Sequence, residues 1–128
     1  MDIEHIGYQV PDPAGAARWY VENLGLRVAR SFGPPAHAHF LADPSGHVMI
    51  EIYNNPLAPV PDYRAMDPLV LHLALECGDV AAVRERLLAA GASAEGGVTT
   101  APNGDVLAML RDPWGFPVQL AKRAAPMI

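Results

Sequence analysis

The chain has 128 residues, 51% of them hydrophobic, with 11 glycines, 13 prolines, one cysteine and a formal net charge of −5. That balance suits one compact domain, or two small similar halves sharing a core, and disfavours a disordered chain. The apolar runs are strand-sized, well short of the roughly 18 consecutive apolar residues of a membrane span; nine scattered basic residues against fourteen acidic ones disfavour nucleic acid as a partner; and Cys77 alone makes neither an intramolecular disulfide nor a thiolate metal cluster.

The opening residues, with Asp2 and Glu4, lack a basic stretch followed by an apolar run, so no secretory signal is read and a cytoplasmic location is expected. Ile3 to Val10 then reads as a strand. Asp12 is a helix cap, Pro13 fits the first turn, and Gly25 supplies a left-handed stop. Between them Ala16, Ala17, Tyr20, Val21 and Leu24 recur at helical spacing and form one apolar face. Leu26 to Ser31 and Ala36 to Ala42 read as strands, Asp43-Pro44-Ser45-Gly46 as a turn, and His47 to Asn54 as a strand. Residues 55–68, with Pro56, Pro59, Pro61 and Pro68, read as a stiff, extended linker. Leu69 to Glu76 is strand-like, Val80 to about Ala90 helical, and a weak strand follows Gly91. Asp105 to Arg111 and Phe116 to Lys122 are strands around the turn Asp112-Pro113-Trp114-Gly115.

This order is a repeat. His5 corresponds to His72 and Asp12 to Asp79 at an offset of 67, Gly25 to Gly91 at 66, and the two Asp-Pro-X-Gly turns at 69. Each half reads strand, helix, three strands. The expected organisation is a first module over residues 1–54, the linker over 55–68, a second module over 69–123 and a tail over 124–128.

Strand alternation sorts the side chains into two faces. One face, with Ile6, Tyr8, Val10, Val48, Ile50, Ile52, Leu69, Leu71, Leu73, Leu75, Phe116, Val118 and Leu120, is apolar enough to seat the helices. The other carries one potential metal ligand per strand: His5, Glu51, His72 and Gln119. A lone strand histidine is more often a hydrogen-bonded structural residue, but a carboxylate inside Val48-Met49-Ile50-Glu51-Ile52 must reach water, a counter-charge or a metal. Four such residues at matching places in two repeats favour a metal site.

These residues, with Trp19-Tyr20-Val21-Glu22-Asn23-Leu24-Gly25-Leu26, Glu51 running into Tyr53-Asn54-Asn55, and Leu71-His72-Leu73-Ala74-Leu75, resemble the vicinal oxygen chelate superfamily, which includes glyoxalase I, methylmalonyl-CoA epimerase, extradiol dioxygenases, fosfomycin resistance enzymes and bleomycin-binding proteins. The resemblance covers essentially the whole chain. It implies an α+β fold of two βαβββ modules, with concave mixed sheets around a divalent metal and helices outside. His5, Glu51, His72 and Gln119 match the family's four metal positions. Two imidazoles, a carboxylate and an amide suit one divalent ion such as Ni, Co, Zn, Fe or Mn. Glyoxalase I usually has Glu where Gln119 stands, and Tyr8-Gln9 replaces an arginine that grips glutathione in the bacterial enzymes, which counts against glutathione although Asn55 matches a glutathione-contacting asparagine.

The resemblance implies a small-molecule substrate with vicinal oxygens that chelates the metal, an enediolate stabilised by the ion, and lyase or isomerase chemistry of the glyoxalase or epimerase kind. Glu51 is then the first candidate to move the proton, with Tyr53 as a catalytic neighbour and His47 and Glu76 as further residues on these faces. Fe(II)-dependent extradiol oxygenation through His5, His72 and Glu51 is the second reading. A non-catalytic antibiotic- or small-molecule-binding cup, with His37, His39, Phe40, Met49, Met109 and Trp114 as lining, is the third. Exposed strand edges and the resemblance imply a homodimer.

Overall fold

Two aspartates start the two helices in the same way. Asp12 accepts a hydrogen bond from Gly15 N at 2.9 Å at the head of α1 (Pro13–Leu24), and Asp79 accepts one from Ala82 N at 3.0 Å at the head of α2 (Val80–Ala89). Each satisfies a backbone donor that the first helical turn leaves unpaired. Gly25 ends α1 in the left-handed conformation, as its position predicted.

The computed structural model describes all 128 residues, which divide into a first unit, Met1–Pro61, and a second, Asp62–Ile128. The first unit contains β1 (His5–Gln9), α1, β2 (Arg27–Ser31), β3 (His39–Ala42) and β4 (Met49–Tyr53). The second contains β5 (Leu73–Glu76), α2, β6 (Ser93–Thr100), β7 (Val106–Arg111) and β8 (Pro117–Lys122). Both sheets are mixed and share one topology, β1-β4-β3-β2 and β5-β8-β7-β6, with the first-named pair parallel and the rest antiparallel. These are the two βαβββ modules expected from the repeat.

Each helix packs on its own sheet: α1 meets β2, β3 and β4, and α2 meets β6, β7 and β8. In the first unit Val10, Ala16, Tyr20, Leu41, Ile50 and Ile52 form the buried layer; in the second it is Val80, Leu87, Ala108, Leu110, Val118 and Leu120. β4 shows the alternation most plainly, with Ile50 and Ile52 buried and Met49, Glu51 and Tyr53 only partly covered.

Several expectations need correction. The strand expected from Leu69 begins only at Leu73, because Asp67 O accepts from Val70 N and the Asp67 carboxylate from Leu69 N, folding residues 67–70 into a turn that leaves Leu69 and Val70 in solvent. The proline-rich segment is not extended: turns closed by Ala58 N on Asn55 O, Ala65 N on Asp62 O and Met66 N on Tyr63 O run through it. Its later part is built into the second unit, where the buried Tyr63 ring packs edge-on against Phe116 at 4.9 Å. β3 starts at His39 rather than Ala36, since Gly33 O accepts from His37 N and closes a turn first. On α1, Trp19 is buried and Val21 is exposed, so the apolar stripe runs one residue over from the expected one. The weak strand after Gly91 is β6, eight residues long.

Candidate functional site

In the first unit the parallel pairing of β1 with β4 sets Gly7 opposite Glu51 and His5 opposite Met49. A Cβ on Gly7 would lie 2.9 Å from Glu51 Oε2 and 3.2 Å from Tyr53 Cε1, so both side chains lean across β1 into the space that the glycine leaves. Glu51 Oε2 thereby comes within 3.5 Å of His5 Nε2. The other ring nitrogen, His5 Nδ1, bonds the Glu4 carboxylate. That bond raises the His5 pKa above its ordinary value, with burial working against it and the charges of Glu4 and Glu51 adding to it. The Phe40 ring stands edge-on to His5 at 5.2 Å. His5 and Glu51 remain open to solvent, with side-chain exposures of 34% and 22%. This face therefore offers an imidazole nitrogen and a carboxylate side by side, accessible from outside.

In the second unit His72 precedes β5 instead of lying within it, and its Nδ1 is held by Pro68 O at 3.0 Å. That carbonyl belongs to the turn that displaced the expected strand. Gln119, half-buried on β8, lies in register between Ala74 and Met109. Within neither unit do three or more His, Cys, Asp or Glu side chains cluster at metal-ligand spacing. Each unit contributes two of the four expected ligands, an imidazole and an oxygen donor.

The supporting residues divide further. His47 lies in the turn before β4, its N–H on Ser45 Oγ, and Glu76 is exposed at the end of β5. His39 faces α1, in a groove with Ala17, Arg18 and Val21, so it does not line the Phe40 face. Gln9, buried at the end of β1, clamps the chain after β4: its carbonyl accepts from Asn55 N at 2.6 Å and its amide donates to Asn55 O at 2.9 Å and Ala58 O at 2.5 Å. Asn55 Oδ1 accepts from Leu57 N at 3.0 Å.

Sequence reasoning missed Arg111. It is buried, bonds the Glu95 carboxylate, and donates to Tyr63 O, to Met66 O at 2.9 Å and to Gly115 O at 3.2 Å. An arginine ending a strand gave no signal of this, because three of its four partners are backbone carbonyls brought close only by folding.

The sequence profile of the Glyoxalase/Bleomycin resistance protein/Dioxygenase superfamily matches residues 2–120. The chain belongs to this superfamily. Among solved structures, the protein SMU.1112c is 28% identical, covering 94% of this chain and 98% of its own, with a TM-score of 0.74. TnmS3, an antibiotic-binding protein from a Streptomyces species, is 21% identical over 97% of both chains, with a TM-score of 0.72. A glyoxalase I variant from Zea mays is 23% identical with a TM-score of 0.77; the match covers 97% of this chain but 46% of that one. No curated protein matches the chain. The two likenesses below 25% identity speak for the shared fold alone. No helix is long and apolar enough to cross a membrane.

Proposed function

We propose that this superfamily member is a divalent-metal-dependent enzyme of the glyoxalase or epimerase kind, a lyase or isomerase, with His5, Glu51, His72 and Gln119 as metal ligands. The observation that carries this reading is shared by the two histidines. Each has Nδ1 held by an oxygen, Glu4 for His5 and Pro68 O for His72, which assigns the proton to Nδ1 and leaves Nε2 as the free lone pair. Imidazole ligands are commonly oriented this way by a partner outside the metal's own shell. His39 has the same anchor on His37 O, but it pairs with Ile52 and its ring lies against α1, on the face of the sheet opposite Glu51. The donor set, two imidazoles with one carboxylate and one amide, fits a single Ni, Co, Zn, Fe or Mn ion.

When bound, such an ion polarises vicinal oxygens of a substrate and lowers the barrier to losing the adjacent C–H proton. Glu51 is the carboxylate placed to take that proton, because Gly7 leaves it room to move over β1, and Tyr53 borders the same space. Glutathione does not suit the site: the residues that would grip it are committed, Gln9 to the backbone of Asn55 and Ala58, and Asn55 Oδ1 to Leu57 N. A homodimer accords with the unpaired outer edges of β1, β2, β5 and β6, to be checked by light scattering.

The test is metal content with turnover. One ion per chain is expected, lost in His5→Ala and in His72→Ala; full occupancy in both variants overturns the ligand assignment. Glu51→Gln should retain part of the metal and lose turnover by about 10²-fold or more. Methylglyoxal with glutathione should be a poor substrate, improved by Gln119→Glu, since the amide supplies no second carboxylate. Iron in protein purified without oxygen, with ring cleavage of catechols, would move the assignment to the dioxygenase reading. A metal-free protein that binds a small molecule would move it to a binding module, a reading favoured by the exposed Phe32 beside Phe40.

A further inference from the structure

The first unit holds a recess of about 340 Å³ beside His5, lined among others by Glu4, Arg30, Phe32, Phe40 and Met49. Its charge comes from a backbone irregularity. Pairing between β2 and β3 runs Arg27 to Ala42 and Val28 to Leu41, then skips, so that Arg30 instead of Ala29 opposes Phe40. Unbroken antiparallel register would put Arg30 opposite His39, on the face that meets α1. The extra residue turns it to the Phe40 face, which is the usual effect of a bulge on side-chain direction. One row of residues across the sheet then reads Gly7, Glu51, Phe40, Arg30.

The Arg30 side chain makes no ion pair or hydrogen bond, whereas those of Arg84, Arg111 and Arg123 are each paired with a carboxylate. Glu4, the nearest acid lining the recess, is engaged with His5, and Glu51 also faces His5. Beside the free guanidinium, Phe32 is 54% exposed and meets Phe40 edge-on at 6.2 Å. An uncommitted planar cation next to an exposed aromatic wall is suited to a carboxylate with an apolar body.

We propose that this recess binds a small organic acid, its carboxylate on Arg30 and a ring-sized apolar group against Phe32 and Phe40. Arg30 stands two strands from Glu51, roughly 10 Å at the usual spacing, so a molecule reaching both needs a spacer of about that size. As a statement about the substrate of the proposed reaction this rests on that reading; as a binding site it does not.

Calorimetric titration of the full chain in excess EDTA, with phenylacetate, phenylacetamide and acetate, separates the two. Phenylacetate should bind at least about tenfold more tightly than either of the others. Arg30→Gln should abolish the preference over the amide, Arg30→Lys should keep part of it, and Phe32→Ala should reduce the preference over acetate. Equal binding of acid and amide by the wild-type chain, an unchanged preference in Arg30→Gln, or no binding of phenylacetate overturns the proposal. Metal content of His5→Ala, measured separately, bears only on the metal reading.

Discussion

The two units share element order, sheet topology and aspartate-capped helices, yet they use the face opposite the helix differently. In the first, that face is open: His5, Glu51, Tyr53, Phe40 and Arg30 lie along it, and Gly7 keeps the middle of β1 free of a side chain. In the second, Ala74 stands where the repeat has Gly7, Gln119 where it has Glu51, and Arg111 ties the residues 63–66 to the end of β7. On this face one repeat copy thus presents an imidazole beside a carboxylate and an arginine, and the other an amide, with a structural clamp at the end of β7. Duplicated topology fixes where side chains point, while their chemistry diverges freely.

The comparison is broken most severely at the clamp. Arg111→Ala leaves three carbonyls, two of them in buried bonds, and the exposed Glu95 carboxylate without their donor, and should cost about 3–4 kcal/mol. Hydrogen exchange should show faster exchange in residues 62–128, with the first unit less affected; uniform loosening of both units would show that they do not unfold separately.

The paired turns give the next largest effect. Gly115 has φ +94° and an added Cβ would strike the Arg64 side chain, whereas at Gly46, with φ +74°, it would meet only the tip of Arg27 at 3.4 Å. Gly115→Ala should therefore cost about 2–3 kcal/mol and Gly46→Ala about 1 kcal/mol, read from urea unfolding midpoints. Equal costs would mean that backbone strain alone decides both.

At Gly7 the effect is on the site more than on stability. Gly7→Ala should push Glu51 away from His5 and lower metal affinity by about tenfold, a size typical of losing a ligand's support. Ala74→Gly, the reciprocal change, should leave metal affinity unaltered, and an equal loss there would deny the special role of Gly7.

The smallest effect is electrostatic. Asp105 accepts from Ala124 N, Arg123 and Asn103, and these bonds, that from Ala124 N foremost, hold its carboxyl below the usual carboxylate range against the opposing effect of burial. A folded pKa below the unfolded one contributes stability above the unfolded value, near 4, and loses it as pH falls through the folded value. Asp105→Asn should thus be less stable than wild type at pH 7, with the gap closing on acidification. A gap independent of pH would assign the effect to packing.

Local chemistry wrote much of this protein into its sequence. Asp12, Asp79, Gly25 and the two Asp-Pro-X-Gly turns mark element ends through interactions spanning a few residues, so the repeat, both helices and most strands were legible, as was the shared face of His5, Glu51 and Tyr53. The turn at Asp67 is local as well, its carboxylate and carbonyl bonding amides two and three residues on, but its Asp-Pro signal was absorbed into the linker and the alternating apolar run after it was read as strand. Tertiary structure decided the rest: the bulge before Arg30 changed which face its side chain occupies, and the Arg111 clamp joins residues some 48 positions apart. Both depend on backbone groups, which every residue carries alike, so the residue types announce neither; what selects these contacts is the packing that brings the chain segments together.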